Sequence, residues 1–226
     1  MDLIEAIRTR RSIRGFKSTP VPHEILTSIL DIARLSPSAV NQQPWEFIGL
    51  TGQSLEKAKQ VNIEQASVGA TVNPDCVATP PNQLTPPHSD RQIALARQLF
   101  SLMNIERENR EQRAEWQRRG KRFFDAPAAI LICADESIYT PKHLTPLIDI
   151  GIVTQSICLL ALHHGLGTCI QQDSVFYPEA LKKALDIPES KRIIVALAIG
   201  YPDWDFEANQ LRSPREDMDS LVTWKH

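Results

Sequence analysis

Apolar positions change period several times along the chain, and each change marks an element. Leu3, Ile4 and Ile7 form a short stripe at helical spacing, which predicts a first helix capped by Asp2 and ending near Arg8. After Thr19-Pro20-Val21-Pro22, the positions Ile25, Leu26, Ile29, Leu30, Ile32 and Ala33 predict an amphipathic helix running to about Ser36, with Pro37 ending it. Trp45 to Leu50, bounded by Pro44 and Gly52, reads as a strand, with Ser54 as the cap of a helix after it. Val68 to His88 holds five prolines and little periodicity, so a long loop or lid is expected. From Ser89 a helix bearing Ile93, Ala96, Leu99, Phe100 and Met103 should continue through the charged Asn104 to Arg119 stretch until Gly120 stops it.

Ala128 to Ala134 and Ile193 to Ile199 are continuously apolar and read as buried strands. Between them come a helix from about Pro146 to His164, a glycine break at Gly165-Leu166-Gly167, a strand over Thr168 to Gln171 and a short helix over Pro178 to Leu185. The tail has no strong period, although Leu221-Val222-Thr223-Trp224 could add an edge strand. Helices and strands without regular βαβ spacing favour an α+β sandwich over a doubly wound parallel sheet. No glycine-rich dinucleotide fingerprint and no P-loop is present.

Composition narrows the function classes. A 226-residue chain with 42% hydrophobic and 23% charged residues is an ordinary globular composition. One domain, 1–226, is expected, with a loop and helix insertion at about 68–122. A net charge of −2 argues against nucleic acid and acidic membrane surfaces as partners. The longest uninterrupted apolar runs fall far short of the roughly 20 residues that span a bilayer. The N-terminus shows no signal-peptide pattern, so a cytoplasmic location is expected. Cys76, Cys133, Cys158 and Cys169 lack zinc or dithiol spacing, and adjacent His163 and His164 would point apart on a helix, so no metal site is expected.

Local charge carries more information than the total. Between Glu5 and Glu24 there is no acid, yet Arg8, Arg10, Arg11, Arg14 and Lys17 all fall there. Guanidinium forks grip phosphate oxygens bidentately and Ser12 adds a hydroxyl, although a solvated basic loop would look the same. A second cluster, Arg212-Ser213-Pro214-Arg215, has the same ambiguity, and one phosphate could draw both together. Ser36 to Trp45 packs three amides and two hydroxyls into ten residues before a strand. That set suits a ring edge of alternating donors and acceptors, and equally a well-capped turn.

Taken together, Arg10-Arg11-Ser12-Ile13-Arg14, Ser36 to Trp45, Gly165 to Cys169, Ile199-Gly200-Tyr201-Pro202-Asp203, Arg212 and Arg215 resemble the nitroreductase family of FMN enzymes, in order and spacing, from about Ile4 to Arg215. The segment from about Val68 to Arg122 matches least. The resemblance implies a three-layer α/β/α sandwich with a mostly antiparallel central sheet. It also implies a homodimer whose C-terminal tail is exchanged between subunits, with FMN bound at the interface. Arg10, Arg11, Ser12 and Arg14, together with Arg212 and Arg215, would hold the phosphate, ribityl chain and pyrimidine edge. Pro37, Ser38, Ala39, Asn41 and Gln43 would reach the flavin from the partner. The Ile170-Gln171-Gln172 strand would lie beside the ring; relatives often carry Gly or Glu around Gln172, which leaves the choice between Gln171 and Gln172 open.

The implied activity is electron transfer from NAD(P)H, either NADH or NADPH, to a nitroaromatic, quinone or similar small organic acceptor, by ping-pong use of one open cleft. No side-chain acid or base is demanded, so no catalytic residue is assigned. Flavin destructase and reductive dehalogenase chemistries share the fold, and a non-catalytic flavin-binding protein would share the motifs.

Overall fold

The computed structural model describes residues 2–140 and 142–225. Its centre is a sheet of β1 (Glu46–Thr51), β2 (Ala128–Asp135), β3 (Gly167–Gln171) and β4 (Lys191–Gly200) in the order β1-β2-β4-β3, with every neighbouring pair antiparallel. The continuous apolar runs have a simple cause: β2 and β4 are the two inner strands and are covered on both faces. Ala128, Ile130, Ile132 and Ala134 face α2 (His23–Ala33) and α6 (Thr145–His163). Ala129, Leu131 and Cys133 face the other way, toward α3 (Gly52–Ser67) and α7 (Pro178–Leu185). The result is the expected three-layer α/β/α sandwich. A bulge where Ile132 pairs Val195 but Cys133 pairs Ile193 shifts the register at the start of β4.

The first helix, α1 (Leu3–Thr9), is capped as expected, its Ile4 and Glu5 amides donating to the Asp2 carboxylate. Helix α6 is long and apolar enough to cross a membrane by composition, a property hidden from a count of uninterrupted apolar runs by Asp149 and Thr154. Here it is a core helix, with Ile150, Val153, Ile157, Cys158 and Ala161 buried against the sheet.

Three local expectations are corrected. Thr51, not Ser54, is the cap of α3; Ser54 sits at the third helical position and completes a reciprocal capping box. The long charged helix is two: α4 (His88–Leu102) and α5 (Arg110–Lys121). Asn104, at φ 50°, ends α4 in a Schellman turn, with Ile105 N–H donating to Phe100 O and Asn104 N–H to Ser101 O. Asn109 then caps α5 by accepting from Gln112 N–H. Gly120 does not stop α5 but is its penultimate residue, and it is not among the glycines of positive φ that end a helix. The tail forms a short α8 (Met218–Leu221), and within the described residues Val222 to Trp224 join no sheet.

The segment between α3 and α4 is a proline-rich loop pinned at one point. Asp75, its side chain 7% exposed, accepts from Ile193 N–H at 2.9 Å. It also lies 3.4 Å from Lys182 Nζ and 3.4 Å from an Arg192 nitrogen. Lys182 is wholly buried and lies between this buried loop carboxylate and the largely exposed Glu179 carboxylate, also 3.4 Å away.

Candidate functional site

The N-terminal basic run is not a free loop. It lies along the edge of the sheet beside β3: Ser12 bridges Thr168, Ile13 N–H donates to Thr168 O, and Lys17 N–H donates to Tyr201 O. Close approach is possible because Gly167 leaves room for Ile13, whose side chain would be 2.4 Å from a Cβ there. The opposite end of the chain locks it. Asn209, fully buried, accepts from the Arg14 and Gly15 amides and donates to Gly15 O at 2.7 Å and Asp203 O at 2.6 Å. All its hydrogen-bonding capacity is spent on holding two distant segments together.

This stapling draws the two arginine clusters together. A cavity of about 560 Å³ is lined by Arg8, Arg10, Arg11, Ser12, Arg212 and Arg215, with no acidic residue in its wall. Among the described residues none of these five arginines has an ion pair. Burial and the neighbouring Arg212 guanidinium lower the Arg11 pKa, its Nε is buried without a partner, and its guanidinium lies 4.6 Å over the Trp204 ring. Like charges gathered without a counter-ion are the chemistry of an anion site, and a phosphate monoester fits it.

Arg14, two residues beyond Ser12, lines the next cleft and not this one. The second cleft, about 270 Å³, is lined by Arg14, Trp116, Phe124, Cys169, Ile170 and the turn Gln171 to Asp173, among others. Its aromatic and aliphatic walls with one cation suit a flat ring carrying partial negative charge on one edge. Both glutamines line the cleft, yet each side-chain amide nitrogen is engaged elsewhere: Gln171 donates to Gly120 O and Gln172 to Ile194 O. Gln171 Oε1 is left buried without a partner, so a side-chain acceptor as well as the strand backbone is present at the cleft. Burial pushes the Cys169 thiol up to about 11, so it is neutral at physiological pH and no nucleophile. Burial also raises Asp173, with the Lys121 charge opposing, and lowers Lys121.

The turn from Ser36 to Trp45 lies in neither cavity wall of its own chain. It is rigid: Val40, Asn41 and Gln43 all have positive φ, Ala39 N–H donates to the buried Asp149 carboxylate, and Gln43 N–H donates to Ser38 Oγ. Pro37, Ser38, Ala39, Asn41 and Gln43 are thus a preformed polar knuckle displayed away from the arginines.

With this geometry in hand, the relatives of the chain are informative. The nitroreductase family model matches residues 7–201. The chain belongs to the nitroreductase family. A chloronitrobenzene nitroreductase of Comamonas testosteroni is 30% identical over 224 residues, covering 98% of this chain and 96% of that one. A 4-nitrobenzoate reductase of Pseudomonas putida is 29% identical over 215 residues, covering 95% and 92%. The crystal structure of an FMN- and NADPH-dependent nitroreductase from Sphigopyxis sp. strain HMH superposes with a TM-score of 0.93 at 27% identity, covering 100% of both chains. The fold shared with that structure includes the central sheet described above. Sequence reasoning passed over Asn209, Trp204, Trp116 and Phe124, residues whose apolar or amide character reads as generic core; only the pairing of a buried Asn with a glycine-bearing loop could have singled out the first.

Proposed function

We propose that this nitroreductase binds FMN and uses it to reduce small nitroaromatic or quinone acceptors at the expense of NAD(P)H. The observation that carries this reading is the wall of unpaired arginines from both ends of the chain, opening beside an aromatic-walled cleft. Arg10, Arg11, Ser12, Arg212 and Arg215 would hold the phosphate, and Arg14 the pyrimidine edge of the ring. The chemistry supplied by bound FMN is two-electron transfer between nucleotide and acceptor. Arg14 contributes a fixed positive charge where negative charge grows on the ring edge, and needs no reorganisation to do so. Ile170, Gln171 and Gln172 contribute the wall beside the ring. Donor and acceptor then take turns in one cleft, which gives ping-pong kinetics. The two relatives named for nitrobenzoate and chloronitrobenzene support a nitroaromatic acceptor.

The working unit is a cytoplasmic homodimer in this reading, one domain per chain with the 68–122 insertion shaping the acceptor pocket. Support comes from large apolar side chains left bare on neighbouring helices: Leu3 64%, Ile7 55%, Leu35 71% and Ile148 65% exposed. The same face displays the 37–43 knuckle, which would meet the partner's flavin. Met218, Leu221 and Trp224 are bare on the tail, as an exchanged segment requires. The test is optical. Purified protein should be yellow, bleach on anaerobic addition of NAD(P)H and recover with a nitroaromatic; protein that refuses FMN, or stays yellow with both nucleotides, removes the oxidoreductase reading. Replacing Ile7 with Asp should shift the mass in sedimentation from dimer to monomer, and an unchanged monomeric mass in the parent protein removes the dimer.

A further inference from the structure

The insertion carries a second basic cavity that the flavin reading does not use. The Schellman turn that ends α4 folds Ile105 back beside Phe100 and turns the chain toward α5. The pocket so formed is about 560 Å³, with Ile93, Phe100 and Ile105 among its apolar surfaces and Arg97, Arg107 and Arg113 around them. The Arg113 guanidinium stands 4.2 Å over the Phe100 ring, which fixes it at the wall instead of in solvent. No acid lines the cavity. Among the described residues none of the three guanidiniums has a carboxylate partner or a side-chain hydrogen bond. The contrast along α5 is direct: Arg118 pairs with Glu115, and just beyond the helix Arg122 pairs with Glu115 and Asp125.

We propose that this cavity receives the 2′-phosphoadenosine end of NADPH and makes the chain prefer NADPH to NADH. The inference rests on the oxidoreductase reading above. A flat, weakly polar ring matches the Phe100 and Ile105 surface, and a dianionic phosphate matches three guanidiniums; a single aromatic carboxylate would leave two of them facing each other unneutralised. The cavity also shares its hairpin with the cleft beside Arg14. Leu99 and Trp116 line that cleft, while the next residue on α4, Phe100, and the residue three back on α5, Arg113, line this one. One nucleotide laid across the hairpin would therefore have a site at each end.

Calorimetric titration of the holoprotein with adenosine 2′,5′-bisphosphate tests the site without turnover, with adenosine 5′-monophosphate and benzoate as the comparison probes. The bisphosphate should bind at least about tenfold more tightly than the monophosphate, and Arg97→Gln and Arg107→Gln should each weaken it about tenfold. Both arginines are exposed, so these variants fold, and their flavin content and spectrum should match the parent. In the double variant the ratio of kcat/KM for NADPH over NADH should fall toward one, with the NADH value held. Equal binding of bisphosphate and monophosphate, tighter binding of benzoate, or variants that leave both affinity and ratio unchanged would overturn the assignment. If neither nucleotide bleaches the flavin, the oxidoreductase reading fails by itself, and the bisphosphate titration still decides whether the cavity is a phosphoadenosine site.

Discussion

The loop carrying Arg10 to Lys17 and the insertion from Val68 to Arg122 are both rich in arginine, but they are built in opposite ways. The loop is held by backbone bridges to β3 and Tyr201, by a buried asparagine 195 residues away, and by contacts that leave no room for a Cβ at Gly15 or Gly167. The 68–122 segment is fixed mostly at its two ends, by Asp75 and the Asn73 amide on Phe176 O at one and by Asn62, Gln171 and Arg119 bonded to Lys121 O, Gly120 O and Arg14 O at the other, while between them stand the contact of Leu99 with Ala208 and Leu211, the ring pair of Trp116 and Phe124, and an exposed Arg91–Glu216 bridge of 2.6 Å. In the proposed reading the loop would hold charge that must not move when it stabilises developing charge, which a fixed loop suits. The proposed donor surface would gain from adjustability, and its Arg97 and Arg107 are exposed.

The sharpest way to break this contrast is at Asn209. Asn209→Ala removes four hydrogen bonds and leaves the Arg14 and Gly15 N–H groups without partners in a buried site, while Gly15 O and Asp203 O keep the Asp203 and Phe206 amides; the expected loss is about 2–4 kcal/mol in denaturant unfolding together with loss of bound flavin. A loss under about 1 kcal/mol means the loop is held by something else. Loosening the other region calls for Asp75→Asn, which strands the buried Lys182 ammonium. About 3–4 kcal/mol should go, protease should nick the 68–87 loop faster, and adding Lys182→Met should restore part of the stability. If the double variant is no more stable than the single one, the pair is not what pins the loop.

Arg14→Ala removes the charge and spares the scaffold, since it is the Arg14 backbone that Asn209 grips. Flavin affinity and the rate of flavin reduction should each fall about tenfold, with unfolding shifted by less than about 1 kcal/mol; unchanged flavin values would take Arg14 out of its assigned role. The smallest effect lies at the far end of the sheet and serves as a control on both regions. Hydrogen bonds from Ser137 and Lys191 hold the Asp135 carboxyl down to about 2, below its ordinary 3.8. A depressed carboxyl contributes stability that is complete above its unfolded pKa and is lost as pH falls through its folded one. Stability should therefore decline between about pH 4 and pH 2, and Asp135→Asn should flatten that limb slightly without altering flavin content.

Much of the fold was legible in the chain. The continuous apolar runs at Ala128 to Ala134 and Ile193 to Ile199 read as buried strands and are covered on both faces, and the prolines at 80, 81, 86 and 87 marked a loop that holds no more than a short 3-10 turn at Pro81–Gln83. Asn104 was the signal that went unused. An amide can adopt the left-handed conformation of a helix terminator as glycine does, so the polar stretch held two helices and a cavity instead of one projecting helix. Gly120 was over-read for the converse reason, since it lies within α5 and does not take the positive φ of a terminator.

Local pattern and charge, then, determined most of the elements, the α+β class and the presence of two acid-free arginine clusters, because periodicity and like-charge density are properties of neighbouring residues. Only tertiary structure decided that the two clusters share one cavity, that the 37–43 knuckle faces away from it, and that three more arginines close around Phe100. Each of these depends on where segments far apart in the chain come to rest, and that is set by buried contacts such as Asn209 to Gly15, which no window of sequence contains.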